Sequence, residues 1–332
     1  MGKIIDAFLF FEELDLLEIR LEYLDPYVDL FVISEAGQTF SGKQKEFNFE
    51  INQERFAKYL HKIYYQKITD FHESYESVIQ YLGASQNPSH HKIRAILESH
   101  QHYPKSEINW VLDTYHRESL HVALDEVANS VDLILLSDLD EIPSETIFTS
   151  ENFHNMNIQP NVFQQHEFRY FLNYFKDSEW LGTIGAKYEH IKTKSFNGLR
   201  IDSKKERKMI NPVAIKNAGY HFTTCGGIEQ IRRKITGWGH QEFNNPAVLR
   251  NLEENIKKGK DIFYRESGTN LQAISISDTI FFSEKFSEIL GKYPHLISQA
   301  AINYQFSKNF TDYLVLFALN LKKVKIKIMG LL

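Results

Sequence analysis

Val131-Asp-Leu-Ile-Leu-Leu-Ser137, followed at once by Asp138-Leu-Asp-Glu-Ile-Pro143, is the stretch that decides how the chain folds. A short apolar run bounded by turn signals reads as a buried strand, and Pro143 cannot continue its ladder. Asp138, Asp140 and Glu141 therefore stand at the carboxyl end of that strand. In open α/β sheets ligands bind at that edge, in the crevice that the loops open. Residues i and i+2 of an extended backbone point the same way, so Asp138 and Asp140 are expected to converge on one ion while Leu139 packs inward.

A hard divalent cation held by one or two carboxylates keeps positions open for substrate phosphate oxygens. Such an ion neutralises the charge that develops on a diphosphate as the bond to it breaks, and Mn²⁺ and Mg²⁺ both suit oxygen ligands. Asp138 and Asp140 are the expected ligands, with Asp138 also serving the donor. The alternative is that these acids cap the following helix, a role open to Ser144 as well. The triplet is a weak signal alone, since Glu13-Leu-Asp15 has the same form with no implied site.

Upstream, Ile4 to Phe11 reads as a buried strand and Glu12 to Tyr23 as a helix, with Leu14, Leu17, Leu21 and Leu24 along one face. Val28 to Ser34 is a second strand, Lys58 to Gln66 holds a third, and Trp110 to Val127 is helical. Strands separated by helices favour an α/β fold with a mostly parallel sheet covered on both faces. The histidine-containing stretch from Gly83 to Pro104 reads as a polar loop around a short helix. Beyond Pro143 the segment QQHEFRYFLNYF (164–175) alternates as strands do, and the second half is expected to be more mixed. Asn245 to Arg265 reads as a polar helix, and the expected division is a domain over 1–290 with a helical appendage over 291–332.

The 332 residues, 42% hydrophobic and 24% charged, suffice for one large domain or two unequal ones. A net charge of −5 gives no bulk attraction to nucleic acid, and the basic clusters are local: Lys204 to Lys208 and Lys322 to Lys327. The single cysteine, Cys225, excludes an intramolecular disulfide framework and suits a reducing compartment. Asp6 interrupts the first apolar run, which lacks the layout of a cleaved signal. The expectation is a cytoplasmic protein. Its tail, apolar over Tyr313 to Leu321 and then basic, reads as a peripheral contact with the inner membrane face, or else as a packing or dimer segment.

FLFFEELDLLEIRL (8–21), VDLFVISEAGQTFSGKQK (28–45), LILLSDLDEIP (133–143), GYHFTTCGGIEQIRRKITGWGHQEF (219–243) and KKGKDIFYR (257–265) together resemble glycosyltransferase family 17. That family includes the β-1,4-mannosyl-glycoprotein N-acetylglucosaminyltransferase. The resemblance implies a GT-A-like fold, a nucleotide-sugar donor (UDP-N-acetylglucosamine in the animal member), inversion at the anomeric carbon, and a glycan or lipid-linked saccharide acceptor.

An inverting transfer needs a carboxylate to take the proton of the acceptor hydroxyl. Glu242, in His240-Gln-Glu-Phe243, is the favoured candidate, Glu229 the second, and Glu167 is among the remainder. The resemblance suggests a third metal ligand from the later half, His221 or else His240. Phe10, Phe11 and Glu12 close the first strand and Glu35 the second, so donor contacts are expected there. Glu35 would accept from uracil or ribose; Lys43 and Arg117 would meet the diphosphate, and Trp180 and Trp238 would stack on sugar. The rival readings are a metal-dependent phosphohydrolase or nucleotidyltransferase, a glycosidase, and a non-catalytic sugar-binding protein.

Overall fold

In the computed structural model, which describes residues 2–205, 214–265, 271–300, 314, 315, 317, 319 and 321, the first strand, β1 (Ile4–Phe10), sits inside the sheet with both faces covered. Ile5 and Ala7 pack on one side with Leu120, Leu124, Ile134 and Leu136. Phe8 and Phe10 pack on the other with Leu16, Leu17, Leu21 and Leu24 of α1 (Leu14–Leu24). The period of two in the strand and the three-to-four spacing in the helix produce this directly. Each buried leucine contributes about 1.5–3 kcal/mol.

The chain continues through β2 (Leu30–Ala36), α2 (Asn48–Ile51), β3 (Ile63–Ile68), α3 (Tyr75–Ala84), α4 (Pro88–Ser99), α5 (Ile108–Glu118), α6 (Leu120–Val127) and β4 (Leu133–Asp138). These four strands are parallel in the order β3-β2-β1-β4. The order reverses between β1 and β4, and at such a switch point the loops leave the strands in opposite directions and open a crevice.

After β4 come β5 (Glu141–Pro143), α7 (Ser150–Ile158), β6 (Asn161–Arg169), β7 (Tyr174–Lys187), α8 (Tyr188–Ile191), α9 (Phe196–Lys205), β8 (Ala214–Ile215), β9 (Gly219–Thr223) and α10 (Ile228–Gly237). Then follow α11 (Pro246–Arg250), α12 (Leu252–Lys257), β10 (Gln272–Ala273) and α13 (Glu284–Leu290). β7 runs antiparallel to β4 and β6, β9 parallel to β6, and β5 antiparallel to β9. The sheet is therefore mixed rather than mostly parallel: the unbroken run of parallel strands from β3 ends at β4, and parallel pairing returns only between β6 and its neighbours β8 and β9. Pro143 lies in β5 at the sheet edge, where a missing N–H is tolerated.

Three local expectations change. Gly83 to Pro104 is not a loop around a short helix but contains the 12-residue α4, started by Pro88 with the Asn87 side chain accepting from Ser89 N. The helix expected from Asn245 to Arg265 is two short ones parted at Asn251, and Tyr264 after them has φ 55°. The Trp110–Val127 helix breaks at Ser119 into α5 and α6. At the far end, Leu296 joins the core around α1, and its carbonyl accepts from Leu172 N at 2.9 Å. Glu206, Arg207 and Lys208 of the first basic cluster, and the whole of the second from Lys322 to Lys327, lie outside the described residues. No helix among the described residues is long and apolar enough to cross a membrane.

Candidate active site

A cleft of about 1010 Å³ opens over the carboxyl ends of β1, β2 and β4, walled beyond them by β6, β7, β9, α5, α9 and α10. Asp138, Asp140, Arg117, Phe11 and His221 all line it, as do Trp180 and Trp238.

The strand-end loop is held from below by a residue that sequence reasoning missed. Arg20 of α1 is fully buried and forks onto Asp6, with Nε 2.8 Å from Oδ2 and Nη2 2.6 Å from Oδ1. Its Nη1 donates to the carbonyls of Asp138, Leu139 and Glu141, each at 3.0 Å, and Nη2 to Ser137 Oγ at 2.6 Å. The signal was legible: Asp6 interrupts an apolar strand, and Arg20 lies at helical spacing from Leu16, Leu17 and Leu24 on the buried face.

Asp138 and Asp140 do not converge as an extended backbone would dictate, because the chain turns at Leu139 and Asp140 before β5 begins. Asp138 meets two guanidiniums, Arg117 Nη1 at 2.5 Å and that of Arg200. Asp140 meets Lys234 Nζ at 2.9 Å, and its Oδ1 is 3.8 Å from His221 Nε2. Glu141 is buried and accepts from Arg200 Nη1 at 2.8 Å, Trp180 Nε1 at 2.9 Å and Asp138 N at 3.1 Å. Burial alone would lower the Lys234 ammonium, but Asp140 and Glu13 outweigh it and hold its pKa above the usual lysine range. The helix-capping role weighed for these acids falls to Ser144, whose Oγ accepts from Thr146 N at 3.3 Å.

The three expected metal ligands are thus not one cage, and among the described residues no group of three His, Cys, Asp or Glu side chains could hold an ion. Asp140 and His221 are the pair that fits. Two ligands of one hexacoordinate ion, at about 2.1 Å from it, lie roughly 3 to 4.2 Å apart, which spans their 3.8 Å separation.

Other candidates fall elsewhere. Glu35 is buried away from the cleft and caps α2: it accepts from Asn48 N at 2.6 Å, Phe49 N at 3.0 Å, Tyr65 OH at 2.8 Å and Lys45 Nζ at 2.5 Å. Lys43 is exposed in a tight loop, and Lys45, two residues on, lines the cleft instead, 5.5 Å from the Phe11 ring. Glu12 pairs with Arg233 of α10 at 3.0 Å. Glu229 points outward on α10, its side chain 80% exposed and paired with Arg232. Glu242 bonds His240 Nδ1 at 3.0 Å and does not line the cleft, whereas His240 does, edge-on to Trp110. Arg200 and Lys234 escaped sequence reasoning because helices far along the chain deliver them.

The model of Glycosyltransferase family 17 matches residues 1–80, the segment from β1 into α3. Over those residues, about a quarter of its length, the chain is similar to that family, which supports a glycosyltransferase. No curated protein matches it. A glycosyltransferase takes a sugar from a donor to an acceptor, and the matched segment supplies this one with Phe11, Phe40 and Lys45 on the cleft wall.

Proposed function

We propose that this glycosyltransferase moves N-acetylglucosamine from UDP-N-acetylglucosamine, with inversion, onto a saccharide hydroxyl in the cleft at the β1/β4 switch point. The observation that carries the reading is the meeting of Asp138 and Asp140 with Arg117, Arg200 and Lys234 in one cleft. The two arginines offer planar forks that match diphosphate oxygens, and Lys234 a compact charge. Preorganised cations aimed at the leaving group stabilise the charge that grows there as the sugar–phosphate bond breaks. The nucleoside lies along Phe11, Phe40 and His116, the last two rings 5.4 Å apart. Trp180 and Trp238 face the sugars with surfaces suited to stacking.

A divalent ion, Mn²⁺ or Mg²⁺, held by Asp140 and His221 adds Lewis-acid neutralisation of the diphosphate when bound. The acceptor is a glycan or a lipid-linked saccharide, reached by a cytoplasmic protein at the inner membrane face. Support for that placement is the exposed row Leu314, Phe317 and Leu321, directly ahead of the basic run in sequence.

Calorimetric titration with UDP, UDP-N-acetylglucosamine and other nucleotide sugars, with Mn²⁺ and then EDTA, tests the reading. Metal-dependent binding of UDP-N-acetylglucosamine is expected in the wild type and lost in Asp140→Ala. Equal binding in EDTA would remove the metal from the reading, and tighter binding of another sugar would replace the donor. No binding of any nucleotide would move the weight to a phosphohydrolase or a sugar-binding protein.

A further inference from the structure

Glu242 and Glu229, the two carboxylates favoured as base from the sequence, do not line the cleft, whereas Glu167, named after them, does. Across β5, β9, β6 and β7 the residues Glu141, His221, Glu167 and Asp177 occupy successive registered positions. Registered neighbours share a face of a sheet, so these four form one ionisable row beneath the cleft. Glu167 stands one strand spacing, about 4.8 Å, from His221, on the side away from Glu141.

The pairing of β6 with β7 is irregular on both sides of Glu167, between Gln165 and Glu167 and again between Glu167 and Phe168. Bulges of this kind re-aim single side chains and concentrate beside active sites. Phe168 turns into the core while Glu167, only 4% exposed, lines the cleft. Two non-glycine residues with positive φ, Tyr170 (70°) and Thr224 (54°), follow the strands that carry Glu167 and His221, and both line the same cleft. Backbone strain of this sort persists where surrounding structure enforces it, typically at functional sites.

The other cleft carboxylates are engaged differently: Asp138 and Asp140 by the cations already described, and Asp177 by Lys176 at 2.9 Å. Glu13 ties Lys234 at 3.3 Å and accepts from Glu12 N. Asp113 faces Arg117 at 3.5 Å, and Glu179 is exposed at the rim.

We propose that Glu167 is the general base of the transfer, a role that rests on the inverting reading above. The acceptor oxygen bonds to the anomeric carbon, the bond from that carbon to the diphosphate oxygen breaks with its electron pair leaving on the diphosphate, and the hydroxyl proton passes to a Glu167 carboxylate oxygen. Arg169 Nε at 2.7 Å from Oε1 and Lys176 Nζ at 3.2 Å from Oε2 fix the carboxylate and leave each oxygen a second lone pair.

The test is UDP release from UDP-N-acetylglucosamine with water as acceptor and Mn²⁺ present, beside calorimetric donor affinity. Glu167→Gln should lower kcat about 100-fold or more with donor Kd within about threefold of wild type. A kcat within about fivefold of wild type, or a fall matched by an equal loss of donor affinity, overturns the proposal. If Glu167→Gln does not fold, Glu167→Asp decides. It keeps the charge that Arg169 and Lys176 require but withdraws the oxygens by one methylene. A kcat drop of about tenfold at unchanged KM supports the role, and an unchanged kcat ends it. Wild-type protein that neither binds nor cleaves the donor defeats the reading of the reaction itself, an outcome distinct from any difference between variants.

Discussion

The Arg20 guanidinium places all its N–H donors inside the protein, on Asp6, Ser137 and three carbonyls of the strand-end loop. It also lies 4.3 Å over the Phe8 ring. Truncation leaves a buried carboxylate without a counter-charge. Arg20→Met should therefore lose about 3–5 kcal/mol of stability in urea unfolding. Changing Asp6 to Asn as well should recover part of the stability without restoring donor binding, because the loop carbonyls still lack their donor. Full recovery of binding in the double variant would show that Arg20 supports only the fold. The strand-end position of the loop acids was legible because an apolar run that stops in Asp-x-Asp-Glu-x-Pro marks the end of a buried strand. Their partners Arg200 and Lys234 were not, since nothing near either in sequence marks which side chain a distant helix presents to the cleft.

α9 shows how an element, rather than a residue, sets the site. Its start is held by Glu118, a buried carboxylate at the end of α5 that accepts from Ser195 Oγ at 2.6 Å, Phe196 N at 3.0 Å and Asn197 N at 2.9 Å. Negative charge at a helix N-terminus answers its dipole and its unpaired N–H groups. Arg117 on α5 and Arg200 on α9 thereby reach Asp138 from two helices joined through the neighbouring Glu118. Glu118→Gln, which keeps one acceptor oxygen, should cost about 2 kcal/mol and weaken UDP binding severalfold in calorimetry. Unchanged affinity would show that Arg200 is positioned without this cap. Arg117 and Glu118 each face a different partner, because adjacent helical residues point to different sides of the helix. The strands β1, β2 and β4 and the helix α1 followed from periodicity and α4 did not, whereas the antiparallel second half depended on β7 pairing with β4, a contact no local pattern announces.

For the molecule as a whole, stability and acidity are linked through His116, buried at the cleft wall. Burial, opposed by nearby Asp70, holds this imidazole neutral down to about 3, against an ordinary value of 6.5. Below pH 6.5 the unfolded chain binds a proton that the native chain refuses, so the contribution is full above that pH and is lost as pH falls towards the folded value. The loss is about 1.4 kcal/mol per unit, or roughly 2–3 kcal/mol by about pH 4.5. Urea unfolding at neutral pH and at about pH 4.5 should show a drop smaller by that amount in His116→Phe than in wild type. Equal drops would mean that the imidazole gains its proton in the folded state.

The three tryptophans of the chain, Trp110, Trp180 and Trp238, all line the cleft, with none in the cores on either side of the sheet around β1. Tryptophan emission, excited at the red edge where the 17 tyrosines do not absorb, is consequently a signal from the cleft walls. Nucleotide occupancy and cleft opening will both register in it, whereas loosening of the buried layers beneath the sheet will stay dark until the walls themselves part.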